Sequence, residues 1–309
     1  MIVLRALFWG LLFVLAGVTA APAQTAGYVV PTCTGDPRKD TPILQSAFAR
    51  GGLILLPACK YVVSGTFRLL SGTQLIGAGY AHTTIHTLLG NGAPLIDSDP
   101  AASLSDVHVS GISFDSRFGN GLTGQGDAFL LHGVTDTTFE RIRVRNFRGN
   151  GFTIRKPTGQ ATSLLRARFS SVFVISVGGY AFDVDGSVDA TWNMIDVNSA
   201  TTGAFRFRSG STTNPPIQIS GFIAEWHKTY ASKNHIVLFD NPNGQVVNFM
   251  NCSAMTFGGF GDLSFIRSLG TVKVNFTGCT GGNGTTVFKN WITSPSKNVA
   301  FAWRINSSY

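Results

Sequence analysis

A repeat running through most of the chain limits its possible folds more than any other feature. A short apolar strand recurs, often three residues after a Phe or Trp: Gly111-Ile112-Ser113-Phe114, Phe139 to Val144, Phe169 to Val174, and Trp192 to Val197. Looser copies follow at Gly221-Phe222, at Phe249 to Cys252 and at Phe276 to Cys279. With Ile112, Ile142, Val172, Ile195, Phe222, Cys252 and Cys279 as equivalents, the steps are 30, 30, 23, 27, 30 and 27 residues. A second family interleaves with the first: Ala128 to Leu131, Gly151 to Ile154, Ala181 to Val184 and Ala204 to Phe207. Its weaker copies are Ile236 to Phe239, Leu263 to Ile266 and Thr286 to Phe288.

Two strand families sharing one period describe the coils of a β-solenoid, in which each coil buries its apolar residues only against its neighbours. Helical repeats would need apolar faces of period 3.6, which are absent. A β-sandwich would not give interleaved families with a common period. The reading is all-β: a single-stranded right-handed parallel β-helix, with inward Phe, Ile and Val stacked about 4.8 Å apart. Composition agrees. Only 13% of residues are charged, while Gly numbers 36 and Phe 24, which argues against disordered tails and coiled coils. The Phe residues are expected to be core.

Residues 1–23 read as a secretory signal peptide: Arg5, an apolar run from Ala6 to Ala20, and Ala21-Pro22-Ala23 before Gln24. The run is short for a membrane span, and no later stretch is long and apolar enough. The expectation is a secreted or periplasmic protein without stable membrane insertion, with residues 24–309 forming one β-helix domain. Residues 36–79 would form its cap and first coils, and about 104–290 the repeated coils. Loss of Arg5 takes the 24 cations to 23 against 16 acids, so the net charge falls from +8 to +7. Four cysteines in an exported chain favour disulfides. Cys252 and Cys279 are one coil apart, within the Cα reach of a disulfide, although two stacked inward thiols would also fit. Cys33 and Cys59 would pair at the N-terminal end.

The cap has its own texture. Asp40 to Ala49 reads as a short helix, with Asp40 or Thr41 capping it and Pro42 at its first position. Gly51-Gly52 precedes the apolar strand Leu53 to Leu56, then Pro57-Ala58-Cys59-Lys60-Tyr61; a further strand ends at Gly77-Ala78-Gly79. This module of about 45 residues resembles the N-terminal module of the pectate lyase superfamily, in its rhamnogalacturonase/epimerase-like and tailspike-like branch. Cys59 stands where that pattern has Gly. The resemblance implies a secreted right-handed β-helix, commonly acting on polysaccharides. It carries over no catalytic set. The Asn-Thr-Asp and Gly-His-Gly elements of polygalacturonase-like hydrolases are absent, as are the signatures of calcium pectate lyases.

Candidate chemistry lies in the outward columns. Aligning the second family on Phe129, Phe152, Phe182 and Phe205 gives one column of Leu130, Thr153, Asp183 and Arg206, and a second of His132, Arg155, Asp185 and Arg208. Asp183, Asp185, Arg155, Arg206 and His132 are the catalytic candidates. Arginines suit a uronate, because guanidinium grips carboxylate with two prongs. His132 is the most accessible base, and Asp183 with Asp185 offers hard oxygen ligands for Ca²⁺. Lys156, Arg208, Arg143, Glu225 and Trp226 are substrate-binding candidates, Trp226 as a sugar-stacking ring. Eight cations and no acid lie between Arg141 and Arg168, while four acids and no cation lie between Phe169 and Phe205. An acidic polysaccharide is the expected partner. Nucleic acid is not, since the chain is exported and lacks interleaved exposed aromatics. Three functions remain open: a lyase cleaving an acidic glycan by β-elimination, a glycoside hydrolase, and a non-catalytic glycan-binding envelope protein. The outward Asp and Arg residues could equally be salt-bridge ladders.

Overall fold

The computed structural model describes residues 28–88, 90, 92–116, 126–160, 162–209, 215–227, 235–240, 242–257, 264–281, 290–293 and 299–304. Residues 1–23, expected from the sequence to be a signal peptide, lie outside these residues, as do Tyr230 and Thr286 to Phe288. So do the side chains of Trp226 and His227. The described residues contain one helix and 26 strands, arranged in a sheet of 17 strands and a sheet of nine. Every named pairing is parallel, as a solenoid requires. In the larger sheet Ile142 pairs with Ile112 and Val172, and Val172 with Ile195. In the smaller, Phe152 pairs with Phe129 and Phe182, and Phe182 with Phe205. Both repeat alignments expected from the sequence are therefore the observed registers. Pairing continues past the expected limit of about residue 290, since Val299–Arg304 adds to Thr271–Thr277. The strand added to Ser264–Ser268 is Asn290–Thr293.

The core is two aromatic ladders at right angles. Phe129, Phe152, Phe182 and Phe205 stack in the smaller sheet, with successive centroids 4.6, 5.0 and 5.0 Å apart. Phe139, Phe169 and Trp192 stack in the larger, at 5.1 and 5.6 Å. Edge-to-face contacts join them, as between Phe152 and Phe169 at 5.6 Å and 78°. Each such pair contributes about 0.5–1.5 kcal/mol beyond area burial.

One column explains how the long strands turn a corner without breaking. Arg141, Ser171, Met194 and Asn251 adopt left-handed φ values of 50–54°, and Gly111, Gly221 and Gly278 occupy the same register position at 61–67°. Each lies just before an inward residue of the repeat. The bend divides the larger sheet into two flanks, and the smaller sheet forms the third.

The helix starts earlier than expected. It spans Pro37–Arg50, Asp36 is the N-cap, its side chain accepting from Arg38 N, and Pro37 rather than Pro42 leads the first turn. Asp40 is fully buried and does not cap the helix. Its carboxylate accepts instead from Thr34 N, Gly35 N and Val62 N. It ties the cap to the strand Cys59–Val63. Both disulfides form: Cys33–Cys59 with Cα atoms 5.9 Å apart, and Cys252–Cys279 with 4.3 Å. Two cystines point to a compartment outside the reducing cytoplasm. Among the described residues no helix is long and apolar enough to cross a membrane.

Candidate functional site

The outward face of the smaller sheet brings together most of the catalytic candidates. Register places Leu130, Thr153, Asp183 and Arg206 in one column. Arg155 sits beside His132. Asp185 N donates to Ile154 O and Arg208 N to Val184 O, so these two continue the second column. Strand alternation produces this arrangement: Phe152, Phe182 and Phe205 point inward, so their neighbours point out.

Asp183 is the hub. It is 1% exposed. Arg155 donates through Nη2 to its Oδ2 at 2.8 Å, and through Nη1 to its backbone oxygen at 3.1 Å. Arg208 donates through Nε to Oδ1 at 2.8 Å and through Nη2 to Oδ2 at 2.6 Å. Burial alone would push the carboxyl up. The hydrogen bonds from Arg208 and Arg155, together with their charge, outweigh burial and hold it below its ordinary value. Asp183 is therefore ionised at neutral pH and has no proton to donate. Nor does it fit a calcium ligand, because its oxygens face two guanidinium groups. Among the described residues Asp185 accepts only a long contact from Ser209 Oγ, at 3.4 Å. Among the described residues no three His, Cys, Asp or Glu side chains converge as a metal site. The chemical role left to Asp183 is to orient Arg155 and Arg208.

His132 is half-buried beside this pair. Burial lowers its pKa; a hydrogen bond with the Ser98 backbone opposes the fall and the charge of Arg155 adds to it. The imidazole is thus neutral near pH 7, as a base must be. Its Nδ1 is shut off from solvent without a hydrogen-bond partner among the described residues. A cavity of about 340 Å³ lies alongside, lined by Arg68, Ser71, Ser98, Asp99 and Ser103 among others. Ser98 Oγ in this cavity accepts from His132 N at 2.8 Å. Lys156, on the same coil as Arg155, is exposed.

The structure adds three residues that sequence reasoning missed. Arg206 pairs with Asp240, donating through Nε at 3.2 Å and also through Nη2. Arg206 lies 5.8 Å from the ring centroid of Tyr180. The Tyr180 hydroxyl is 3.1 Å from His235 Nε2, and burial pushes the phenol up to about 12. Tyr180 and His235 are 55 residues apart, and nothing in their spacing links them. Asp240 N donates to Phe207 O, so extending the Asp185–Arg208 column by one coil would have found it.

The remaining candidates lie elsewhere. Arg143, Glu225 and Trp226 belong to strands of the larger sheet, so they do not share a groove with Asp183. Arg143 stacks over the Tyr80 ring at 4.6 Å, and Glu225 accepts from Asn198 Nδ2.

No protein-family model and no curated protein matches the sequence. Solved structures do match in shape. The A-module of the mannuronan C-5 epimerase AlgE4 from Azotobacter vinelandii is 16% identical, with a TM-score of 0.50, over 88% of this chain and 93% of that one. The catalytic domain of a GH87 alpha-1,3-glucanase, in complex with tetrasaccharides, is 16% identical with a TM-score of 0.53. That match covers 93% of this chain and 58% of the glucanase domain. The chain has the right-handed parallel β-helix fold. At this identity the likeness concerns the fold alone. The β-helix locates the candidate face, and its chemistry rests on the residues above.

Proposed function

We propose that the chain is exported and acts on an acidic, uronate-containing polysaccharide at the outer face of the smaller sheet, as a lyase. The observation that carries this reading is the row of three guanidinium groups, Arg155, Arg206 and Arg208, beside the neutral imidazole of His132. Arg208 uses Nε and Nη2 on Asp183, and among the described residues its Nη1 is uncommitted. It and Arg155 are 35% and 25% exposed. Their outer edges can accept a uronate carboxylate, making the proton on C5 more acidic. His132 removes that proton once its ring turns the buried Nδ1 outward. The electron pair forms the C4–C5 double bond, the C4–oxygen bond breaks, and the departing oxygen takes a proton from solvent. The two cystines support an oxidising compartment, and the named activities of the similar β-helices support a polysaccharide as substrate.

The test is incubation of the purified protein with polygalacturonate and with alginate, following ultraviolet absorbance of the new double bond. His132→Ala should lower the rate by about 100-fold or more. New reducing ends without that absorbance would exclude β-elimination. A second reading is binding without turnover. It is favoured by the pairing of each guanidinium with a carboxylate, Asp183 or Asp240. Retention of the protein by either polymer, with no product formed, would select it.

A further inference from the structure

A different flank of the solenoid is dressed unlike the rest. It is formed by the strand halves that follow the left-handed corner. Register places Arg143, Phe173, Asp196 and Ile223 in one outward column. The neighbouring column holds Arg145, Ile175, Asn198 and Glu225. Outward positions of a solvated sheet are normally polar. Here Phe173, Ile175 and Ile223 point out, and Ile223 is 39% exposed. The adjoining corner adds Met194 at 59% and Met250 at 37%. Tyr80 folds over from the N-terminal end, its ring 5.4 Å from that of Phe173. Exposed apolar residues gathered on one flank in this way mark an interaction site.

The charges around it are incomplete. Arg143 has no carboxylate partner among the described residues; it rests on the Tyr80 ring. Asp196 Oδ1 is shut off from solvent with no hydrogen-bond partner among them. Burial and the neighbouring Glu225 raise the Asp196 carboxyl, and among the described residues it makes no ion pair. The unpaired cation stands one coil before Phe173 and the uncompensated acid one coil after it, each about 4.8 Å away.

That arrangement is self-complementary. We propose that this flank is an isologous interface between two copies of the chain, docked antiparallel with the two-fold axis through the Tyr80–Phe173 pair. A two-fold axis there reverses the solenoid direction, so Arg143 of each copy meets Asp196 of the other. The aromatic pairs meet at the centre, and Ile223 and Met194 lie on the flanks. The strip from Ser113 to Ile223, centred on Phe173, spans five coils, about 19 Å along the axis. This puts the contact at the small end of specific interfaces. Association is therefore expected to depend on concentration and on salt. The flank is separate from the Arg155–Asp183–Arg208 face, so the inference stands independently of the proposed lyase activity.

The experiment is sedimentation velocity on the full chain with its cystines intact, from micromolar to millimolar concentration, at low and at high salt. The expected result is a dimer that weakens with dilution and salt. Arg143→Glu and Asp196→Arg should each weaken dimerisation at least tenfold, and the double variant should restore it. Phe173→Cys should give a covalent dimer on mild oxidation. Melting curves of each variant separate loss of association from loss of folding. A monomer throughout the range, a trimer, or a double variant that melts normally but stays monomeric would overturn the proposal. So would a wild-type monomer that is shifted only by added polygalacturonate, which would make the flank a glycan-binding surface.

Discussion

Arg208 grips Asp183 with both prongs of its guanidinium, Nε on Oδ1 at 2.8 Å and Nη2 on Oδ2 at 2.6 Å, across two successive coils of the smaller sheet. Arg155 closes on the same carboxylate from the coil before. The acid is almost fully buried and both cations are only partly exposed. Removing the acid strands two guanidinium groups that lean inward to meet it. Asp183→Asn should therefore destabilise the fold by about 3 kcal/mol, measured by urea unfolding. Arg206→Gln, whose partner Asp240 is 29% exposed, should cost about 1 kcal/mol or less.

Loss of stability in acid should come from this site and one other. Asp183 is held below its ordinary value of 3.8 despite burial, by its two arginines. Asp115 is held below it despite burial, by hydrogen bonds from His86 and Asn146 and by the charge of Arg145. A depressed carboxyl binds fewer protons folded than unfolded. Its contribution is complete above the unfolded value of about 3.9, and is lost as pH falls through the lower folded value. The melting temperature should be flat in this respect above about pH 4 and fall steeply below it. Asp183→Asn should flatten that slope. An unchanged slope would show that the carboxyl is not depressed.

The Cys252–Cys279 bond closes a loop of one coil, 27 residues. Replacing both by Ser should cost about 3.5 kcal/mol through the entropy of the unfolded chain. The check is denaturant unfolding of the variant beside the wild type, with and without reductant. Reductant should bring the wild type toward the variant.

Two substitutions in the same coil should move stability in opposite directions. Phe152 is buried between Phe129 and Phe182 in the ladder, so Phe152→Ala should cost about 3–5 kcal/mol. Arg141 holds φ at 51° on the surface, and its ion pair with Glu140 is exposed. Arg141→Gly should relieve the left-handed strain and stabilise by about 1 kcal/mol. Calorimetry on both variants checks the pair.

Much of the fold is legible in the sequence because a solenoid repeats its neighbours. Equivalences such as Ile142 with Val172, or Phe152 with Phe182, are spacing statements, and parallel pairing turns spacing directly into contact. The outward columns follow by simple alternation, which is how Asp183, Arg155, Arg206 and Arg208 come to share a face. The helix start differs from the sequence expectation because Asp40 has the chemistry of a capping residue, while its carboxylate is used by backbone amides from other segments.

Local patterning by itself determined the period, the inward residues and which side chains face out; that Cys252 and Cys279 are bonded rather than stacked as thiols came from the structure. Only the tertiary structure decided what those outward groups do. Whether Asp183 is a free acid or a clamped anion depends on where the tips of two arginine side chains go, each several rotatable bonds from a backbone that the repeat does specify. The same holds for His132, whose neutrality comes chiefly from burial, and for Tyr80, which reaches Phe173 three coils away along the axis. Such long-range placements belong to side-chain packing, which periodicity does not encode.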